Sequence, residues 1–185
     1  MKALGKAYKD AEASTGDFKR LPAGGYIARI LAVKDVADKS YLAVEFDIAE
    51  GEFKAFYGDD WGKEHPSAHT MYRSYKETAL PMFKGFLRAV DQSNGTKFEQ
   101  DAVNGLAEQQ LVGRAVGIVV GYEEYQNDRG EIRERAKVTA VRSVDKIRSG
   151  DFKVPELKKL DLSKSTTAAS PVEGFVAVNE ADLPF

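Results

Sequence analysis

Apolar and polar positions alternate most cleanly between Tyr41 and Ile48. Leu42, Val44, Phe46 and Ile48 fall on one side, and Tyr41, Ala43, Glu45 and Asp47 on the other. A period of two sustained over this length predicts a half-buried strand. The preceding run, Tyr26 to Val36, is partly apolar on both sides, with Tyr26, Ala28, Ile30 and Ala32 facing away from Ile27, Arg29, Leu31 and Val33. It predicts a strand covered on one face and used on the other. The breaker cluster Pro22-Ala-Gly-Gly25 precedes it, and Asp38-Lys39-Ser40 forms the turn between the two strands. Glu50-Gly51 predicts a tight hairpin into a third strand, Glu52 to Tyr57, which completes a meander.

Gly58 to His69 reads as a loop, and Thr70 to Tyr75 as a short extended piece. Ser74 and Glu77 have capping-box spacing, with Thr78 as a rival cap and Pro81 tolerated in the first helical turn. Leu80, Phe83, Phe86, Leu87 and Val90 then mark one face of a helix ending at Ser93-Asn-Gly95. A short helix is expected around Asn104 to Gln110. Leu111 to Tyr125 predicts a long strand in which Gly113, Gly117 and Gly121 share one face, where another backbone can approach closely. After the turn Asn127 to Gly130, Ile132 to Val144 predicts the fifth strand. It carries Arg133, Arg135, Lys137 and Thr139 on one side and Ile132, Ala136, Val138 and Ala140 on the other. Residues 145–162 are rich in Lys and Arg, and either pack on the body or extend a basic surface.

This order predicts a mainly β, β-rich α+β protein: a five-stranded oligonucleotide/oligosaccharide-binding (OB-fold) barrel with a helix between strands three and four. Glycine-bearing, coiled strands suit a small barrel. An α+β sandwich with a helix on a five-stranded sheet gives the same string of elements. The chain divides into a basic arm (1–20), the barrel domain (21–162), a small polar linker (163–179) and a closing stretch (180–185), Glu-Ala-Asp-Leu-Pro-Phe.

Charge sharpens this division. The net charge is -2. Beyond residue 163 the only basic side chain is Lys164, against Glu173, Glu180 and Asp182, so the end of the chain holds the whole excess and the body is neutral. A neutral body binds a polyanion only through a local basic groove. There is no cysteine, which excludes disulfides, thiolate catalysis and cysteine zinc sites. No apolar run reaches a membrane span and no signal-peptide core is visible, so a cytoplasmic location without membrane association is the expectation.

The closing Asp182-Leu183-Pro184-Phe185 resembles the acidic C-terminal tip of bacterial and phage single-stranded DNA-binding proteins. Leu21-Pro-Ala-Gly-Gly-Tyr26, Val44-Glu-Phe-Asp-Ile-Ala-Glu-Gly-Glu-Phe53, Arg73-Ser-Tyr-Lys76 and Arg142-Ser-Val-Asp-Lys-Ile-Arg148 are similar, as a set, to a family of small single-stranded DNA-binding proteins of phages and mobile elements. The resemblance implies sequence-tolerant binding of single-stranded DNA. It also implies recruitment of replication or recombination proteins, with Phe185 and its carboxylate docking on the partner. An ordinary C-terminal clip, packing Leu183 and Phe185 onto the body, is the alternative.

Such a binder needs aromatic faces for bases and cations for phosphates. The candidate stackers are Tyr41, Phe53, Tyr57, Trp61, Tyr72 and Tyr75, with Phe56 assigned to the core and Trp61 favoured because its loop gives it no periodic core role. The candidate phosphate contacts are Arg73 and Lys76, interleaved with Tyr72 and Tyr75, and the Arg133/Arg135/Lys137 stripe, with Arg29 and Lys54 as further cations. Core packing is the rival explanation for each aromatic, and a solvated strand face for the stripe. Glu123 and Glu124 read as solvated. His65 and His69 are four apart, but Pro66 breaks the helix that would join them, so no metal or other cofactor is expected. No catalytic motif is visible, and an enzyme is not expected. The rival function is an OB-fold interaction adaptor or accessory subunit without direct DNA binding. The oligomeric state stays open, a homo-oligomer included.

Overall fold

The computed structural model describes residues 20–160. The arm up to residue 19, the linker and the tip residues Asp182, Leu183, Pro184 and Phe185 lie outside the described residues. Among the described residues five strands, β1 (Gly24–Val36), β2 (Tyr41–Ile48), β3 (Thr70–Ser74), β4 (Ala115–Gln126) and β5 (Ile132–Arg142), form one antiparallel sheet in the order β3-β2-β1-β4-β5. The central strand β1 pairs with β4 through Gly24 to Arg29 and with β2 through Ala28 to Val36, and its register shifts between Ile30 and Ala32. A bulge there bends the strand and lets one long β1 serve two neighbours. The sheet does not close into the expected barrel: β3 and β5 are its two edges.

The alternation of β2 folds as its pattern dictates, with Leu42, Val44, Phe46 and Ile48 all buried. They face Ala28 and Ile30 of β1 and Val116, Ile118 and Val120 of β4. The fifteen-residue helix α2 (Leu80–Asn94) completes this core with Phe86, Leu87 and Val90. Each such side chain contributes ~1.5–3 kcal/mol when fully buried. Leu80, at the start of the predicted apolar face, is exposed. Pro81 occupies the first turn of α2, and Gly95 ends the helix with a left-handed φ of 67°. Neither the Ser74–Glu77 pair nor Thr78 caps it. Residue 79 is the cap and makes no side-chain hydrogen bond, while the Ser74 hydroxyl donates to the Ser40 carbonyl instead.

The predicted third strand is wrong. Residues 50–57 fold into consecutive turns, with positive φ at Gly51 and Ala55. The Ala55 N–H donates to the Ile48 carbonyl, and the Asp47 carboxylate accepts the Tyr57 N–H at 3.0 Å. A side-chain acceptor thereby takes a donor that a ladder would have used. The third strand is the short piece 70–74, reached through α1 (Asp60–Glu64), whose N-cap Asp59 accepts the Gly62 N–H.

After α2, α3 (Phe98–Asp101) and two 3-10 turns, Ala102–Asn104 and Glu108–Leu111, occupy the region of the expected 104–110 helix. Gly113 lies in the turn before β4, so only Gly117 and Gly121 share a strand face. Both permit close approach: α4 (Val144–Arg148) lays Ile147 against Gly117, and Pro155 covers Gly121. Residues 151–160 then run as a strap along β4. The Lys158 N–H donates to the Tyr122 carbonyl, and the Glu124 N–H donates to the Lys158 carbonyl.

Candidate nucleic-acid interface

Side-chain direction follows from register. Leu42 pairs with Arg73 and Val44 with Met71, so Arg73 and Met71 share the core-facing side of the sheet. Ala43 pairs with Tyr72, which puts Tyr72 on the outer side with Tyr41, Glu45 and Thr70. On the far edge, Glu123 pairs with Arg135 and Gly121 with Lys137, opposite in facing to Val120 and Val138.

The register of β4 and β5 shifts between Val119 and Val120, where Val120 pairs with Val138 and Val119 with Ala140. The extra residue, Thr139, flips the facing of every later position on β5. Arg142, paired with Gly117, therefore joins Arg133, Arg135 and Lys137 on one face. The strict period-two reading of the strand hides this fourth cation.

Between the two unpaired edges lies a cleft of about 610 Å³. Thr70, Tyr72 and Arg73 line it from β3, Arg135, Lys137 and Thr139 from β5, and Met82 and Lys158 from α2 and the strap. Tyr72 is 60% exposed and Met82 73% exposed. The ring of Tyr72 meets that of Tyr41 edge-on at 5.4 Å. Tyr72 is the most exposed of the predicted stackers.

Among the described residues, Glu123 is the one carboxylate lining the cleft. It accepts Arg135 at 2.7 Å and Lys137 at 2.9 Å, and its side chain is 12% exposed. Burial pulls its carboxyl pKa upward, but the hydrogen bonds from Lys137 and Arg135 outweigh that and hold it below the ordinary value. The expectation that Glu123 and Glu124 are solvated is corrected. Glu123 neutralises part of the cation row, and Glu124 accepts the Leu160 N–H at 2.9 Å.

The remaining predicted residues divide. Tyr57 is 7% exposed, packed on Phe46 and Phe56, and burial foremost pushes its hydroxyl pKa up to about 12. It packs in the core, although part of it also lines the cleft. Phe56 is buried as expected, and Phe53 is half-buried between Tyr26 and Phe56. The predicted division that set Phe53 and Tyr57 apart from Phe56 fails because no strand exists there. Tyr75 donates its hydroxyl to Asp35 at 2.8 Å and packs on Phe83, which fixes its ring against the body. Trp61 sits on α1 rather than in a loop, 45% exposed and stacked on His65 at 4.8 Å. Lys76 is exposed just beyond β3, and Arg133 is exposed and paired with Glu131 at 2.8 Å. The anticipated cluster of Tyr72, Arg73, Tyr75 and Lys76 is thus split across two sides of an edge strand.

Among the described residues no group of three or more His, Cys, Asp or Glu side chains is placed to hold a metal ion. No described helix is long and apolar enough to cross a membrane. Compared with known proteins, the chain matches no protein-family model and has no significant match among curated proteins.

Proposed function

We propose that the protein is a non-enzymatic, sequence-tolerant single-stranded DNA-binding protein, and that its fold is an OB barrel parted between the third and fifth strands. The observation that carries this reading is the β3–β5 cleft. Cations from three separate elements, Arg73, Arg135 with Lys137, and Lys158, line one opening with Tyr72 at its side. A single strand needs phosphate neutralisation beside a stacking platform, and base-tolerant stacking contributes ~1–3 kcal/mol per base. A single strand can turn its bases toward Tyr72 while its phosphates meet these cations. By the resemblance of its tip, the protein protects displaced strands in the cytoplasm and recruits replication or recombination proteins through Asp182, Leu183, Pro184 and Phe185.

Fluorescence anisotropy of labelled oligo(dT) tests the reading. Neutralising about four phosphates gives a log–log salt slope near -3 for a single strand. Saturable binding with that slope, and little binding to duplex of equal length, is expected. Salt-independent binding, or none with the fold intact, sinks it. Deletion of residues 180–185 is expected to leave or raise oligo(dT) affinity while removing partner capture.

A further inference from the structure

We propose that Arg73 is a half-buried phosphate anchor, on which one phosphodiester of the bound strand seats in the β3–β5 cleft. This rests on the nucleic-acid reading above and adds which group fixes the strand and where it crosses the sheet edge.

Among the described residues Arg73 lacks an ionic partner, and its buried Nε has no hydrogen-bond partner. Its Nη2 donates only to Met71 Sδ, at 3.2 Å, and a thioether is a weak acceptor. The guanidinium lies 5.8 Å from the centre of the Phe86 ring, a contact that offsets part of its lost hydration. Burial pulls its pKa down to about 10, the direction expected of a cation taken from water without compensation. Such a charge is costly unless something pairs with it. Glu123, across the cleft, is already engaged by Arg135 and Lys137.

The surroundings select the partner. The cleft has room for a nucleotide, and Thr70, Lys137 and Lys158 stand around it. A planar, forked donor set matches two phosphate oxygens at once, which a lysine does not. Tyr72 is the adjacent residue and faces the opposite side of the same strand. A strand that crosses the β3 edge therefore meets a phosphate site on one side and an aromatic ring on the other. This path crosses β3 and reaches the cleft side of β5 at Arg135 and Lys137.

Arg73→Met tests the anchor, since a methionine fits beside Met71 and Phe86. The thermal midpoint is expected to hold or rise, because an unpaired, half-buried charge is removed. Oligo(dT) affinity is expected to fall about tenfold, with a salt slope less negative by about 0.7. Arg73→Lys is expected to recover only part of the loss. A second arm leaves the wild-type protein intact and places single neutral methylphosphonate linkages along oligo(dT) bound in one register beside a blocked end. One position is expected to dominate in the wild type and to lose its effect in Arg73→Lys. A lower midpoint with unchanged affinity assigns Arg73 to packing on Phe86 and overturns the anchor, as does an even, small loss at every linkage. Equal binding by wild type and Arg73→Met sinks the anchor alone, whereas absence of wild-type binding sinks the nucleic-acid reading with it.

Discussion

Glu123 and Arg135 face each other across the β4–β5 ladder, and the carboxylate of the one holds the guanidinium of the other at 2.7 Å while also accepting Lys137 at 2.9 Å. The cation row that faces the cleft is therefore partly neutralised from within. A phosphate approaching Arg135 or Lys137 competes with Glu123. Replacing Glu123 with Gln removes one negative charge and preserves the shape. Single-stranded DNA affinity is expected to rise, and the log–log salt slope to steepen by up to about 0.7. Anisotropy titrations over a range of sodium chloride check both. An unchanged slope would place the strand's path away from β5.

Tyr72 and Tyr57 are equivalent candidates in the sequence, yet they occupy opposite environments. Tyr72 is 60% exposed beside Tyr41, whereas Tyr57 is 7% exposed in the core. Tyr72→Ala is expected to weaken oligo(dT) binding by ~1–3 kcal/mol with little change in the urea midpoint. Tyr57→Ala is expected to cost ~3–5 kcal/mol of stability, as for other large aromatic truncations. Paired urea titrations and anisotropy measurements separate the two. Equal loss of affinity in both, at conditions where both are folded, would contradict the assignment.

His69 supplies a pH dependence. It is 3% exposed, neither ring nitrogen has a hydrogen-bond partner among the described residues, and its Nε2 lies 3.6 Å from Glu45. Burial lowers its pKa from 6.5, and the nearby carboxylates of Glu45 and Asp47 recover only part of the shift. As pH falls through 6.5 the unfolded chain takes up a proton that the folded chain refuses. Stability therefore declines below that point and levels off once the pH passes the folded pKa. Urea unfolding from neutral to mildly acidic pH is expected to show this decline, and His69→Phe to flatten it. A decline of equal size in the variant would assign the effect to other groups.

Much of the architecture is legible because burial on one face imposes a period of two. Leu42, Val44, Phe46 and Ile48 can be read directly, as can the turn at Asn127 and the helix around Phe86. The third strand is misread because aromatic residues 53, 56 and 57 carry strand-like composition, while the Asp47 carboxylate and two positive-φ residues fold them into turns. The strand that forms, residues 70–74, is too short to show a period. The site is legible as a set of cations and aromatics but not as an arrangement. Residues 72 and 73 face opposite sides, the Thr139 bulge brings Arg142 into the row, and Lys158 arrives from a strap whose composition specifies no pairing partner.

Gly117 and Gly121 share a strand face, yet they differ in what a methyl group would meet. A Cβ at Gly117 would lie 2.5 Å from Ile147 Cγ1, 2.8 Å from the Arg142 carbonyl oxygen and 2.9 Å from that of Ser143. Two of these three atoms are backbone and cannot move without shifting the end of β5. A Cβ at Gly121 would lie 2.6 Å from Pro155 Cγ and 3.1 Å from Thr139 Cγ2. Here the obstacles are side-chain atoms, and Pro155 lies in the strap three residues before its hydrogen bonds to β4 at Lys158. Replacing glycine in a strand by alanine otherwise favours folding by ~0.4–1 kcal/mol through the unfolded chain. At Gly117 the overpacking cost, ~1–3 kcal/mol or more, outweighs that gain. At Gly121 the two terms come closer to cancelling. Gly117→Ala is therefore expected to lower the urea midpoint clearly at unchanged m-value, and Gly121→Ala to lower it less. The reverse order would mean that the strap, and not the turn from β5 into α4, is the rigid partner of β4.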